Sequence, residues 1–232
     1  MTDDERFNFT VPKQPEGKRV SQEEAERFLL EKLEKAGADD ESTLQELAYF
    51  YSMTGREQIA LKYLERLIAN TADPEKRAWY YLKIGANMEG LENYKAAISF
   101  YSQAFSLEPE DTLTWYLINN NLGYCLNQYG RFAEAEGYCR SAIKIDPVRH
   151  NAYKNLGVAL AGQGQYAEAA RNFIKATRAE ARDARALKHL EQLLIEHPEI
   201  AIEIPDIEVQ IQKCREAVQF VLELYKKTND SM

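Results

Sequence analysis

The feature that most constrains this chain is a period of 34 residues. Moving the stretch that begins at Asn151 back by 34 places sets Leu156-Gly157 on Leu122-Gly123, Gly164 on Gly130, Tyr166 on Phe132, Ala169 on Ala135 and Ala176 on Ala142. A fixed period of this length marks a repeat architecture, in which each unit buries its apolar face only against its neighbours. Four units follow, at 41–74, 78–111, 116–149 and 150–183, with extra residues Glu75 to Arg77 after the first and Thr112 to Trp115 after the second. Together they run through 143 of the 232 residues, so the repeat sets the fold of most of the chain.

Within each unit the apolar residues recur at helical spacing with one interruption, which predicts two antiparallel helices. Gly55, Gly130 and Gly164 fall at the interruption, where the turn needs a positive φ. Gly85, Gly123 and Gly157 fall inside the first helix, where glycine costs about 1 kcal/mol relative to alanine. The expectation is that they face the small Ala60, Ala97, Ala135 and Ala169 of the second helices, letting the two backbones approach closely. Pro109 and Pro147 stop second helices, because proline cannot continue one.

Composition excludes several classes of function. The net charge of −8 has the wrong sign for a nucleic-acid backbone. No apolar run approaches the roughly 20 residues of a membrane span, and Met1 to Arg6 lacks the features of a secretory signal. A cytoplasmic protein is therefore expected. Cys125, Cys139 and Cys214 show no CxxC spacing and His150, His189 and His197 no HxxxH spacing, so neither a metal nor a cofactor is expected, and the thiols read as free and buried. No phosphate loop, GxSxG elbow or Cys/His pairing is present, which argues against an enzyme. Ala161-Gly-Gln-Gly164 follows a helix and coincides with the repeat's own turn, so it is not a phosphate cradle.

The pattern resembles the tetratricopeptide repeat (TPR) family. Its small position 8 is Ala48, Gly85, Gly123 and Gly157; position 20 is alanine in all four units; position 27 is Leu67, Ala104, Ala142 and Ala176. Departures are Asn119 at the packing position 4, Glu57 in place of an aromatic at position 17 of the first unit, Leu67 at position 27, and Glu92 in place of the second unit's turn glycine, with Gly90 two residues earlier. The resemblance implies an all-α fold, a right-handed superhelix of helix-turn-helix repeats with N- and C-terminal capping helices, whose first helices line a concave groove that binds another protein or peptide. At the groove positions stand Gln45, Tyr49, Trp79, Leu82 and Lys83 in the first two units. Asn120, Asn121, Tyr124, Asn127, Asn151, Lys154, Asn155 and Val158 follow in the next two, then Arg185, Lys188 and His189 if a fifth first helix exists. The peptide-binding candidates among them are Tyr49, Trp79, Lys83, Asn120, Asn121, Tyr124, Asn151, Lys154, Asn155 and Arg185. Asparagine amides can hydrogen-bond a peptide backbone whatever its sequence, and the aromatics add apolar area. The family's carboxylate clamp fits poorly: its best register gives Asn120, Tyr124, Asn155, Arg185 and His189, lacking two of the expected cations.

Outside the repeats, 1–20 reads as a flexible tail in which Phe7, Phe9 and Val11 alternate as a short docking strand would. Ser21-Gln-Glu-Glu24 is a capping box opening a capping helix over 21–37. After 183 a degenerate fifth unit begins, Glu199 to Ile204 alternates as an extended segment, and Asp206 caps a helix to about Lys227. The stripe Ile207, Ile211, Cys214, Val218, Val221 and Tyr225 must be buried. A second set, Val209, Phe220 and Leu224, leaves open whether this helix only caps the chain or also pairs with another copy.

Overall fold

The computed structural model describes residues 21–229, and the segment 1–20, with Phe7, Phe9 and Val11, lies outside them. Twelve helices occur among the described residues, and strands do not. The chain divides into two compact units between Pro109 and Glu110.

The first unit contains α1 (Gln22–Ala36), α2 (Glu41–Met53), α3 (Glu57–Ala69), α4 (Pro74–Gly90) and α5 (Tyr94–Phe105). The capping box forms as the sequence suggests: Glu24 N donates to Ser21 Oγ at 3.2 Å and Ser21 N to Glu24 Oε2 at 3.0 Å. Gly37, at φ 108°, ends the helix. Ala25 and Leu29 of α1 are buried with Leu47, Phe50, Tyr51 and Ala60, so α1 covers the apolar side of the first repeat. Glu26 holds that end in place, accepting from Tyr51 Oη at 2.7 Å and Arg56 Nη1 at 2.6 Å. The antiparallel pairs are α2 with α3 and α4 with α5.

The second unit contains α6 (Thr112–Gln128), α7 (Phe132–Ile145), α8 (His150–Gly162), α9 (Tyr166–Ala179), α10 (Arg185–Glu196), α11 (Ile200–Glu203) and α12 (Ile207–Asn229). Here α6 pairs with α7 and α8 with α9, and α10 packs chiefly on α9 with a smaller contact to α8. The residues between repeats are not loops. Asp73, followed by Pro74 at the first helical position, and Asp111 cap helices early, so Glu75 to Arg77 and Thr112 to Trp115 become an extra turn of α4 and α6.

Turn glycines behave as expected, with φ of 70°, 77° and 77° at Gly55, Gly130 and Gly164. In the second repeat Glu92 itself takes φ 56°, and Gly90 does not supply the turn. The in-helix glycines require a correction. A Cβ on Gly85 would collide with the Tyr101 ring, one on Gly157 with the Phe173 ring, and one on Gly123 with Cys139 Sγ. At Gly85 and Gly157 the nearest partner is an aromatic ring at position 24, whereas at Gly123 it is the small Cys139, and the Ala135 backbone also comes within 3.4 Å, as expected. At Gly85 and Gly157 a ring from one helix fills the dent left by glycine on the other, a knob-into-hole contact, while Gly123 keeps the small-on-small contact. Asn119, at a packing position, is buried and returns its amide to its own helix, donating to Trp115 O at 2.8 Å.

The C-terminal region departs from the sequence reading in two places. Glu199 to Ile204 is not extended, because Ile200–Glu203 forms a helical turn that buries Ile200 and Ile204 and exposes Ile202. Alternation of isoleucines matched a strand, but packing selected a helical spacing of four. On α12, Ile207, Ile211, Cys214 and Val218 are buried in one core with α9 and α10, as a cap requires. Tyr225, expected on that stripe, is exposed, as are Val209, Phe220 and Leu224. All three cysteines are buried and none forms a disulfide, and burial pushes the Cys139 thiol up to about 12.

Candidate functional site

In the first unit, four groove residues named from the sequence converge. Gln45 and Tyr49 on α2, with Trp79 and Lys83 on α4, line one cleft of about 280 Å³. Its floor is apolar, from Ala48, Leu64 and Leu67, and it ends at Met53, Glu57 and Gly90. Side chains bridge the two helices across it. Gln45 Nε2 donates to Tyr80 Oη at 2.6 Å, and Tyr80 Oη donates to Glu41 Oε1 at 2.8 Å. Burial first, and the Glu41 bond with it, push the Tyr80 phenol up to about 12, so it stays a donor at neutral pH. Further along, Ser52 Oγ lies 2.8 Å from Asn87 Oδ1. Lys83 Nζ sits 4.3 Å from the centroid of Trp79, placing a cation on the face of an aromatic ring.

The second unit arranges its first helices differently. Asn120 and Asn155, expected to offer amides to a peptide, are buried. Asn155 Nδ2 donates to Asn120 Oδ1 at 3.1 Å, and Asn127 Nδ2 donates to Asn155 O at 2.8 Å. Asn120 Nδ2 in turn donates to Asn121 Oδ1 at 3.0 Å. These amides staple α6 to α8. Asn121 and Tyr124 are half-buried on α6, as is Asn151 on α8.

Beyond them lies a charged cluster whose centre the sequence reading missed. Asp183 accepts from Arg185 Nε and Nη2, both at 2.7 Å. It lies 3.1 Å from His150 Nε2 and 3.7 Å from the buried Lys154 Nζ, and Lys154 also donates to Asn151 Oδ1 at 3.2 Å. The Arg185 bonds foremost, with the charge of Lys154, hold the Asp183 carboxyl far below its usual range. Arg185, a candidate for holding a carboxylate from outside, is thus occupied by a carboxylate from within. His189 stacks on Phe173 at 5.4 Å. Partial desolvation first, then Lys154, Arg185 and Lys188, lower its pKa. Asp183 was legible only as the last residue of its repeat, and nothing in the spacing announced its three partners. Tyr80 and Asn87 likewise escaped the sequence reading, because the family pattern gives their positions no groove role, whereas Ser52 stands at the same repeat position as Asn127 and was passed over.

A second recess, of about 530 Å³, lies between α7, α8 and α9 and carries Arg140, Lys144, Arg171 and Lys175. Arg140 is paired there with Glu136 and Glu168. No described helix is long and apolar enough to cross a membrane.

Comparisons with known proteins agree with this architecture. The family described as "Tetratricopeptide repeat" matches residues 80–111 and 116–149. The chain is 32% identical to the BBSome complex member BBS4 homolog of Drosophila melanogaster over 88 residues, 38% of this chain and 17% of that protein. It thus spans less than a fifth of that relative's length. Among solved structures, the type IV pilus biogenesis factor PilW is similar with a TM-score of 0.63 at 21% identity, over 87% of this chain and 90% of that one. YrrB, described as a TPR protein with an unusual peptide-binding site, is similar with a TM-score of 0.58 at 21% identity, over 84% of this chain and 97% of that one.

Proposed function

We propose, from the premise that this chain is a tetratricopeptide-repeat protein, that it is a non-catalytic interaction module which binds a peptide segment or partner helix on its first-helix faces. Tetratricopeptide repeats mediate protein–protein interactions, and the observation that carries the reading is the cleft between α2 and α4. Four residues that the family resemblance assigns to the groove line it, over an apolar floor with a polar rim. Such a recess suits one anchoring side chain while the rim bonds the backbone on either side. The half-buried Asn121, Tyr124 and Asn151 of the second unit offer the same kind of surface. YrrB's peptide-binding site supports the reading by analogy of fold. The buried thiols, none of them in a disulfide, suit a reducing compartment, and we place the protein in the cytoplasm.

Selection of random peptides displayed on phage against the full chain tests this. Selected peptides should bind with affinities that fall at least about tenfold in Trp79→Ala, the loss of one aromatic anchor, with circular dichroism unchanged. Peptides that bind Trp79→Ala and Tyr49→Ala as well as the parent would move the site elsewhere. A second reading, pairing of two copies through α12, is favoured by the exposed Val209, Phe220 and Leu224. Light scattering of the full chain beside Phe220→Ser tests it; a monomeric parent would remove it.

A further inference from the structure

One substitution in the repeat leaves the cleft unsealed beside Gly90. At position 17 the second unit carries aromatic rings, and each is covered by the next repeat. Phe132 packs so closely on Gly162 that a Cβ there would collide with its ring. Tyr166 stacks on His197, with centroids 3.4 Å apart and planes 18° apart. In the first repeat the same position is Glu57, and the helix opposite ends in Gly90, the counterpart of Gly162. No ring stands there: the nearest atom to a Cβ on Gly90 would be Glu57 Oε1, at 3.8 Å. The space that Phe132 fills in its own repeat is open in this one.

Charge adds a second requirement. Among the described residues no hydrogen bond or ion pair engages the Glu57 carboxylate, which stands at one end of the cleft. At the opposite end Lys83 lies over Trp79. A ring entering beside Gly90 therefore meets an uncommitted carboxylate, and a cation next to that ring would be attracted to it. A peptide lying the other way would bring its cation against Lys83.

We infer that this cleft takes an aromatic side chain flanked by lysine or arginine from an extended segment of a partner protein, which supplies in trans the ring that Phe132 supplies in cis. The inference rests on the peptide-binding reading above and names the residue such a peptide must carry.

The probe is the 2-phenylethylammonium ion, a phenyl ring two carbons from a cation, titrated into the 15N-labelled full chain. The expected result is saturable binding with a Kd on the order of 1–10 mM, as suits so few atoms, with amide shifts centred on Ala48, Glu57 and Gly90. Glu57→Phe fills the space from within and should abolish those shifts while raising Tm. Should that variant fold poorly, Gly90→Leu blocks the same space from α4, where a Cβ makes only ordinary contacts. Glu57→Gln should keep ring binding but weaken it about three- to tenfold, the fraction lost growing smaller as salt is added. Shifts that persist in both blocking variants, or no saturable shift below 50 mM (about five times the weakest expected Kd), overturn the inference. Phage-selected peptides without aromatic residues, or peptides that bind Glu57→Phe undiminished, would overturn it while leaving peptide binding intact. An outcome in which Phe7→Ser/Phe9→Ser must be introduced before the probe binds would assign the cleft to the chain's own N-terminal segment instead and likewise overturn it.

Discussion

The interface of α2 with α4 and that of α6 with α8 occupy equivalent places in successive repeats, yet one is open and the other closed. Between α6 and α8, short amides at positions 5, 6 and 12 reach across directly, Asn155 to Asn120 and Asn127 to the Asn155 carbonyl. Between α2 and α4 the same row carries longer or differently placed groups, Gln45 to Tyr80 and Ser52 to Asn87, with a cleft of about 280 Å³ beneath them. At the far end Phe132 seals one interface, while Glu57 leaves the other unsealed. Two changes in side-chain length and one lost ring thus leave an open recess where the other seam is packed. The repeat tolerates this because each second helix still packs on its own first helix.

Substitutions at position 8 should separate the two interfaces most. Gly157→Leu drives a side chain into the Phe173 ring and should cost about 3 kcal/mol or more. Ala48→Leu, which borders the cleft, has room to turn and should cost less than about 1.5 kcal/mol. Urea denaturation of both variants checks this, and equal costs would mean that the cleft is not room a side chain can use.

Next in size is the amide row. Asn155→Ala removes a buried donor and strands the Asn120 oxygen, so a loss of about 1–3 kcal/mol is expected. A variant as stable as the parent would show that the amides do not hold α6 to α8. The charged cluster gives a pH signature. Because Asp183 titrates below its usual value of 3.8 in the folded chain, its contribution is present above that value and lost as pH falls toward the folded pKa. Asp183→Asn should therefore melt below the parent at pH 7, with the gap narrowing progressively as pH falls below about 4; a gap independent of pH would mean the carboxylate's charge is immaterial. The smallest effect belongs to Gln45→Ala, at about 0.5–1 kcal/mol, since its half-buried amide can exchange Tyr80 for water. A cost equal to that of Asn155→Ala would erase the contrast between the interfaces.

Much of the fold was legible because periodicity reports burial directly. The turn glycines, the serine cap of α1 and the buried first half of α12 all follow from local rules that need no knowledge of neighbours. The candidate site was legible by position but not by role. Asn120 and Asn155 stand on the face the repeat assigns them, yet whether an amide points to a ligand or to the next helix depends on how close that helix comes. The same ambiguity hid Asp183, whose Arg185 neighbour was visible while His150 and Lys154 lay about 30 residues away.

The amino-acid order alone determined that this chain is a row of helix pairs, because a period of 34 residues with apolar positions at helical spacing admits few other ways to hide them from water. Only the tertiary structure decided which seams close and which stay open. That choice rests on contacts of a few ångströms between residues some 30 positions apart: Phe132 against Gly162, and nothing but a carboxylate against Gly90. Packing at that scale depends on the shape of both partners at once, which a one-dimensional pattern does not contain.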